Sequence, residues 1–409
     1  MIDNTTSAPG RLFDGAFIRS IPSPYTPSQI RQYLKNIGWP ALADAADDSL
    51  QSNASPDTAI TFDANLENLS RLMYLHTVAF PTDNSDMHYT PEHLMPVEPQ
   101  RLFTRMVAES KGSYCFGHNG LLLGILRGLG YRAYPASARV LLPRPPAANR
   151  TYTYLSHLLL LVQPHADSNI TYAVDVGFGG TGPLRPILLA DGRGGRRQHV
   201  DVDNGVTQGG WVWGTFPPER HRLVRAAYPA SSLGALSADS TAPLRDWHMQ
   251  VSHDPARAEA EAEAGWMTLY TFAEAEFFQR DIEVASYAVC RLPGTVLSDS
   301  VVAIRRFAVR GEDARGLLVV REDDGGAAGV QALDAADAAD AALPWVGKWT
   351  LEDRRGVKRV GGAKLEEVGL ASELERVRML REVFGISVAD GDVKWIEGTK
   401  VAFRPEGAA

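Results

Sequence analysis

Cysteine is nearly absent from this chain: 409 residues hold two, Cys115 and Cys290. Two distant cysteines do not make the disulfide framework of a small secreted domain. They fit a reducing compartment, where a reactive thiol persists. Also missing is any run of about 18 apolar residues, so no transmembrane helix is expected. The opening MIDNTTSAPGRLFDG lacks the basic-then-apolar pattern of a secretory signal. Positive charge is not in excess either. A net charge of −8 and a pI near 5.7 weigh against a general nucleic-acid or membrane surface. A cytoplasmic protein with no nucleic-acid partner, no membrane and no metal site is expected. Its length suffices for a large core in two to three domains.

What is present is organised around residues 111–132, KGSYCFGHNGLLLGILRGLGYR. The small pair Gly112-Ser113 precedes Cys115, and Leu121, Leu122, Ile125, Leu126 and Leu129 follow at helical spacing. Gly128 and Gly130 supply the stop. A helix beginning at the cysteine turns its free N–H groups and positive dipole end toward the sulfur, an environment that favours a thiolate. A buried structural cysteine is the commoner fate of such a residue, so partners decide the matter. Two follow in chain order. His157 interrupts the start of an apolar strand, YLSHLLLLV at 154–162. Asp175 sits in the apolar strand of TYAVDVGFGG, just before a glycine-rich turn. A buried imidazole and a buried carboxylate each need a partner. Together with Cys115 they form a nucleophile, base and orienting carboxylate.

These residues resemble the arylamine N-acetyltransferase family, in a fungal-type form. The signature of a basic residue, two small residues, an aromatic, Cys-Phe and then Asn-Gly is matched from Lys111 to Gly120. The histidine strand at 157–162 and the Val-Asp-x-Gly-Phe-Gly turn at 174–179 match as well. Pro81-Thr82-Asp83-Asn84 resembles the family's Pro-Phe-Glu-Asn element, and 266–272 and Phe384-Gly385-Ile386 resemble later landmarks.

The resemblance implies an α+β fold: a helical domain over 1–130 carrying the cysteine, a β-barrel over 131–250 carrying His157 and Asp175, and connector helices with an α/β lid over 251–409. It implies acyl transfer from acyl-coenzyme A to an arylamine, arylhydrazine or N-hydroxyarylamine, of the kind that detoxifies xenobiotic amines. Cys115, His157 and Asp175 would be catalytic. Gly177, Phe178, Gly179, Gly180 and Thr181 would contact the co-substrate, and no cofactor would be held permanently. The same triad would also serve a thiol hydrolase or an amide synthase. Acetyl, propionyl and malonyl donors stay open, as does the oligomeric state.

Departures from the family pattern fall at Lys111, usually arginine, and Asp83, usually glutamate. An ion pair between these two is expected to tie the cysteine turn down. Helices are expected at the 26–34 stripe, over 63–78, over 91–110, and over 372–384 with Leu374, Val377, Leu380 and Val383 inward. Strands are expected at 301–309 and 316–322. The alanine- and aspartate-rich stretch 323–343 has little to bury and reads as a surface insert.

Overall fold

The computed structural model describes residues 9–40, 60–142, 151–193, 197–201, 206–232, 246–254, 265–309 and 343–403. Strand 316–322 and nearly all of the 323–343 insert lie outside them. The helices are α1 (Pro27–Asn36), α2 (Leu66–Ala79), α3 (Asp86–Tyr89), α4 (Pro99–Phe103), α5 (Cys115–Gly128), α6 (Gln279–Arg291), α7 (Val296–Asp299) and α8 (Glu373–Glu382). The main strands are β1 (Thr82–Asp83), β2 (Arg132–Leu141), β3 (Tyr152–Gln163), β4 (Tyr172–Val174), β5 (Ile187–Leu188), β6 (His199–Asp201), β7 (Val206–Gln208), β8 (Trp211–Trp213), β9 (Arg220–Ala226), β10 (Asp246–Ser252), β11 (Met267–Glu276), β12 (Val302–Val309), β13 (Trp345–Glu352), β14 (Arg355–Val360) and β15 (Ala363–Gly369).

Local sequence sets most of these ends. Thr26 and Gln29 close a capping box on α1, with Pro27 in its first turn. Asn65 caps α2 by accepting from the Asn68 N–H, so that helix begins three residues later than its apolar stripe suggests. The expected helix over 91–110 is shorter. Pro96 and Pro99 force extended backbone on the residues before them, and His93 adopts a positive φ of 51°. Only α4 and the π-helical turn Thr104–Ala108 that continues it remain.

One eight-stranded sheet, in the order β5-β4-β3-β2-β11-β10-β9-β8, curls into an almost closed barrel. It runs on through β11, past the boundary expected at 250. A second sheet has the order β1-β12-β13-β14-β15, so the two-residue strand that bridges to Ser113 of the cysteine turn is an edge of the C-terminal sheet. Against that sheet packs α8, whose inner face differs from expectation. Leu374 is exposed, while Arg376 is completely buried. Its guanidinium donates to Tyr89 Oη, to Glu373 and to the Val401 carbonyl, which is what makes its burial tolerable. Val377 and Leu380 point inward as expected.

The largest apolar cluster joins α1, α2 and α5 to Leu160, Val162, Val174 and Val176 on the barrel. That shared core fixes the cysteine helix against the strands bearing His157 and Asp175. Among the described residues no helix is long and apolar enough to cross a membrane.

Candidate active site

Cys115 opens α5, and Tyr114 before it offers no side-chain cap, so the first N–H groups of the helix stay available beside the sulfur. Two glycines make the site compact. A Cβ on Gly112 would lie 2.1 Å from the Pro81 carbonyl oxygen, and one on Gly177 would lie 2.6 Å from Cys115 Cα. Only glycine lets the aspartate loop approach the cysteine backbone so closely.

The structure brings Cys115, His157 and Asp175 together, all three buried. His157 Nε2 donates to Asp175 Oδ2 at 2.7 Å. With Nε2 so engaged, Nδ1 is the ring nitrogen left to face Cys115, which acts on the charge of His157. The Cys115 thiol also lies 3.7 Å from the Ser156 carbonyl oxygen. Asp175 is fully satisfied: Tyr270 Oη donates to Oδ2 at 2.9 Å, while Asn119 Nδ2 at 3.0 Å and the Gly177 N–H at 2.9 Å donate to Oδ1. Burial alone would raise its pKa. The adjacent His157 charge and the donated bonds more than offset that, and the carboxyl is held below its usual range. For His157 burial pulls downward, but Asp175 and Cys115 outweigh it and raise the imidazole to about 10. This arrangement supports an imidazolium beside a sulfur nucleophile.

Asn119, part of the cysteine motif, holds the site together. It stands one turn after Cys115 on the same helix face, donates to the Leu158 carbonyl at 2.7 Å and accepts from the Val176 N–H at 3.1 Å. It thereby joins the three elements of the site. Tyr270 was likewise present in a sequence landmark without a role. Its ring lies 4.8 Å from that of His157, and Phe178 meets the same imidazole edge-on at 5.1 Å.

The Lys111–Asp83 ion pair does not form. Asp83 pairs instead with Arg105, at 2.6 Å, and Arg105 also binds Asp86 and donates to the Gly112 carbonyl. Lys111 faces Glu109 at 3.8 Å, partly exposed. The forked guanidinium reaches two carboxylates and a carbonyl from the π-helical turn, a set of contacts that one ammonium cannot make. Asp83 and Ser113 also share a backbone bond of 2.8 Å, so the buried pair steadies the cysteine turn itself. Asn84 accepts from the Val302 N–H and donates to the Leu297 and Ser300 carbonyls, fastening the same element to the C-terminal sheet.

Beneath the turn, His118 and His76 form a buried chain whose tautomers are fixed. His118 Nε2 must donate to the Pro81 carbonyl at 3.1 Å, so its Nδ1 accepts from His76 Nε2 at 3.0 Å. His76 Nδ1 then accepts from Tyr33 Oη at 2.9 Å. Burial keeps both rings neutral, His118 pulled down to about 4.

An N-acetyltransferase family profile matches residues 65–210, a span that contains the whole cysteine, histidine and aspartate constellation. In sequence the chain is similar to the arylamine N-acetyltransferases and to an N-malonyltransferase. It is 28% identical to an N-malonyltransferase FDB2 of Gibberella moniliformis over 270 residues, 64% of this chain and 69% of that protein. It is 28% identical to an arylamine N-acetyltransferase of Mycobacterium tuberculosis over 335 residues, 80% of this chain and 85% of that one. The solved arylamine N-acetyltransferase of Mycobacterium marinum superimposes with a TM-score of 0.58 at 22% identity, covering 91% of this chain and all of that one. A second structure of that enzyme, in complex with CoA, gives 0.56 at the same identity and coverage. The fold is therefore that of these solved structures: helices, a near-barrel sheet and an α/β lid.

Proposed function

We propose that this protein moves an acyl group from acyl-coenzyme A to the nitrogen of an arylamine, arylhydrazine or N-hydroxyarylamine, through a thioester on Cys115. The observation that carries this reading is the His157–Asp175 bond at Nε2, which leaves the opposite ring nitrogen for the sulfur. In the first half-reaction the Cys115 thiolate attacks the thioester carbonyl. The tetrahedral intermediate collapses with loss of coenzyme A, whose sulfur takes the proton from His157. In the second the amine attacks the acyl-enzyme, its proton passes to His157, and the Cys115 thiolate leaves. Asp175 holds the ring in place and stabilises the imidazolium without itself being protonated. The turn at Gly177, Phe178, Gly179, Gly180 and Thr181 would receive the donor, and Phe178 would wall the acceptor site.

In this reading the helical part presents the nucleophile, the barrel the base and its carboxylate, and the C-terminal sheet closes over the donor turn. The free state of both cysteines suits a cytoplasmic reaction. Acetyl and malonyl donors are both represented among the relatives' names. Initial rates with acetyl-coenzyme A and an aniline, varied together, test the proposal. Parallel double-reciprocal lines and formation of the anilide are expected. Release of free acid with no anilide would instead assign a thiol hydrolase.

A further inference from the structure

Arg306 on β12 and Lys348 on β13 stand directly opposite one another across the antiparallel pair. Like charges so placed repel. Burial lowers the pKa of both, Arg306 to about 10. Neither forms an ion pair with a carboxylate among the described residues. Their donors go to backbone oxygens of the turn that follows Asp175. Arg306 Nη2 donates to the Gly179 carbonyl and, at 3.5 Å, to that of Gly182, while Lys348 Nζ donates to Gly180 at 2.6 Å. From β9, His221 Nε2 donates to the Thr181 carbonyl at 2.8 Å.

Four consecutive carbonyls are thus held by three basic side chains, with Gly179 in the left-handed region at φ 85°. The N–H groups of residues 178–181 find no protein acceptor among the described residues. The Arg306 Nε is also buried and without a partner. Unpaired backbone N–H groups with buried cations behind them suit an anion.

We propose that Arg306 and Lys348 are positioning residues for the acyl donor: by holding the carbonyls of residues 179–182 against the C-terminal sheet, they keep the N–H groups of residues 178–181 free for its phosphate oxygens. This rests on the acyl-coenzyme A reading and adds to it a role for the third part of the chain. The two cations touch backbone, so their effect reaches the donor through the shape and potential of the turn.

The test compares a phosphate-bearing donor, acetyl-coenzyme A, with an uncharged one, p-nitrophenyl acetate. In Arg306→Met and Lys348→Met the KM for acetyl-coenzyme A rises at least tenfold, and kcat stays within a few-fold. The burst of p-nitrophenolate that reports acylation of Cys115 keeps its rate within a few-fold. Lys348→Arg, which restores a donor and a charge, returns KM toward wild type. An unchanged KM in both Met variants overturns the proposal. So does an equal loss with the two donors, which would mean that the cations merely support the triad. Should Arg306→Met fail to fold, Lys348→Met carries the comparison alone, since its side chain is only partly buried. A wild-type enzyme acylated by the ester but by none of acetyl-, propionyl- and malonyl-coenzyme A would remove the donor assignment, and this proposal with it. A wild-type enzyme acylated by both, with unaffected variants, removes the proposal alone.

Discussion

Asn119 Nδ2 reaches Asp175 Oδ1 at 3.0 Å and so links the helix that begins at the nucleophile to the carboxylate that orients the base. The amide is buried and spends its remaining capacity on the Leu158 carbonyl and the Val176 N–H. Removing it takes one of two donors from Asp175 Oδ1 and one from the Leu158 carbonyl, and leaves the buried Val176 N–H without its acceptor. Asn119→Ala should cost about 1–3 kcal/mol in unfolding free energy and lower kcat/KM. Asp175→Asn should be worse in activity, by on the order of a thousandfold or more, because the tautomer and the imidazolium are both disfavoured. Kinetics read beside urea unfolding curves check both. A fully active Asn119→Ala would detach this residue from the site.

The buried pair at Asp83 gives a second expectation. Arg105→Met leaves Asp83, 1% exposed, without its counter-ion. That should destabilise the protein by roughly 3–5 kcal/mol. Lys111→Met removes only a loose, partly exposed contact to Glu109 and should cost about 0–1 kcal/mol. Denaturant unfolding of the two variants ranks them. The reverse order would restore Lys111 as the partner.

Cys115, His157 and Asp175 were legible in the sequence because each is a costly residue in an apolar element, and the cost of each points to a partner. The identity of the partner at Asp83 was not legible. Arg105 lies 22 positions away, and only the π-helical turn, which shortens the expected helix, aims its guanidinium at the cysteine turn. Leu374 faces solvent against expectation for a related reason: periodicity marks apolar faces, and a buried arginine, Arg376, satisfied by Glu373 and Tyr89 breaks the pattern. Tyr270 falls in the landmark at 266–272, but its place against Asp175 was not legible, since the pairing of β11 with β2 joins residues more than a hundred positions apart. Long-range register is set by the packing of the whole barrel and leaves no local mark.

The protonation of His157 should be visible in stability. An unfolded histidine loses its proton near 6.5, whereas in the fold His157 holds it up to about 10. Between those values the native state carries the extra proton. The contribution is complete below about 6.5 and drains away as pH rises toward 10. From pH 7 to 9 the Tm of the wild type should fall more steeply than that of His157→Gln. Parallel Tm curves would contradict a charged His157 at neutral pH.

Cys290 shares an apolar cluster with Cys115 but is only partly buried, and burial pushes its thiol pKa upward. A thiol held protonated is a poor nucleophile. Cys290→Ser should therefore keep most of the wild-type turnover, and Cys115→Ser should keep almost none. Comparable losses in both variants would mean that the second sulfur takes part.

The central claim is that Cys115 carries the acyl group, and intact-protein mass spectrometry reads it directly. After exposure to acetyl-, propionyl- or malonyl-coenzyme A, the wild type should gain the mass of one acyl group, located at Cys115 by peptide mapping, and lose it on addition of an aniline. The donor giving full occupancy names the preferred acyl group, and Cys115→Ser should gain nothing. An acyl group found elsewhere, or anilide formed by Cys115→Ser at the wild-type rate, would contradict the account.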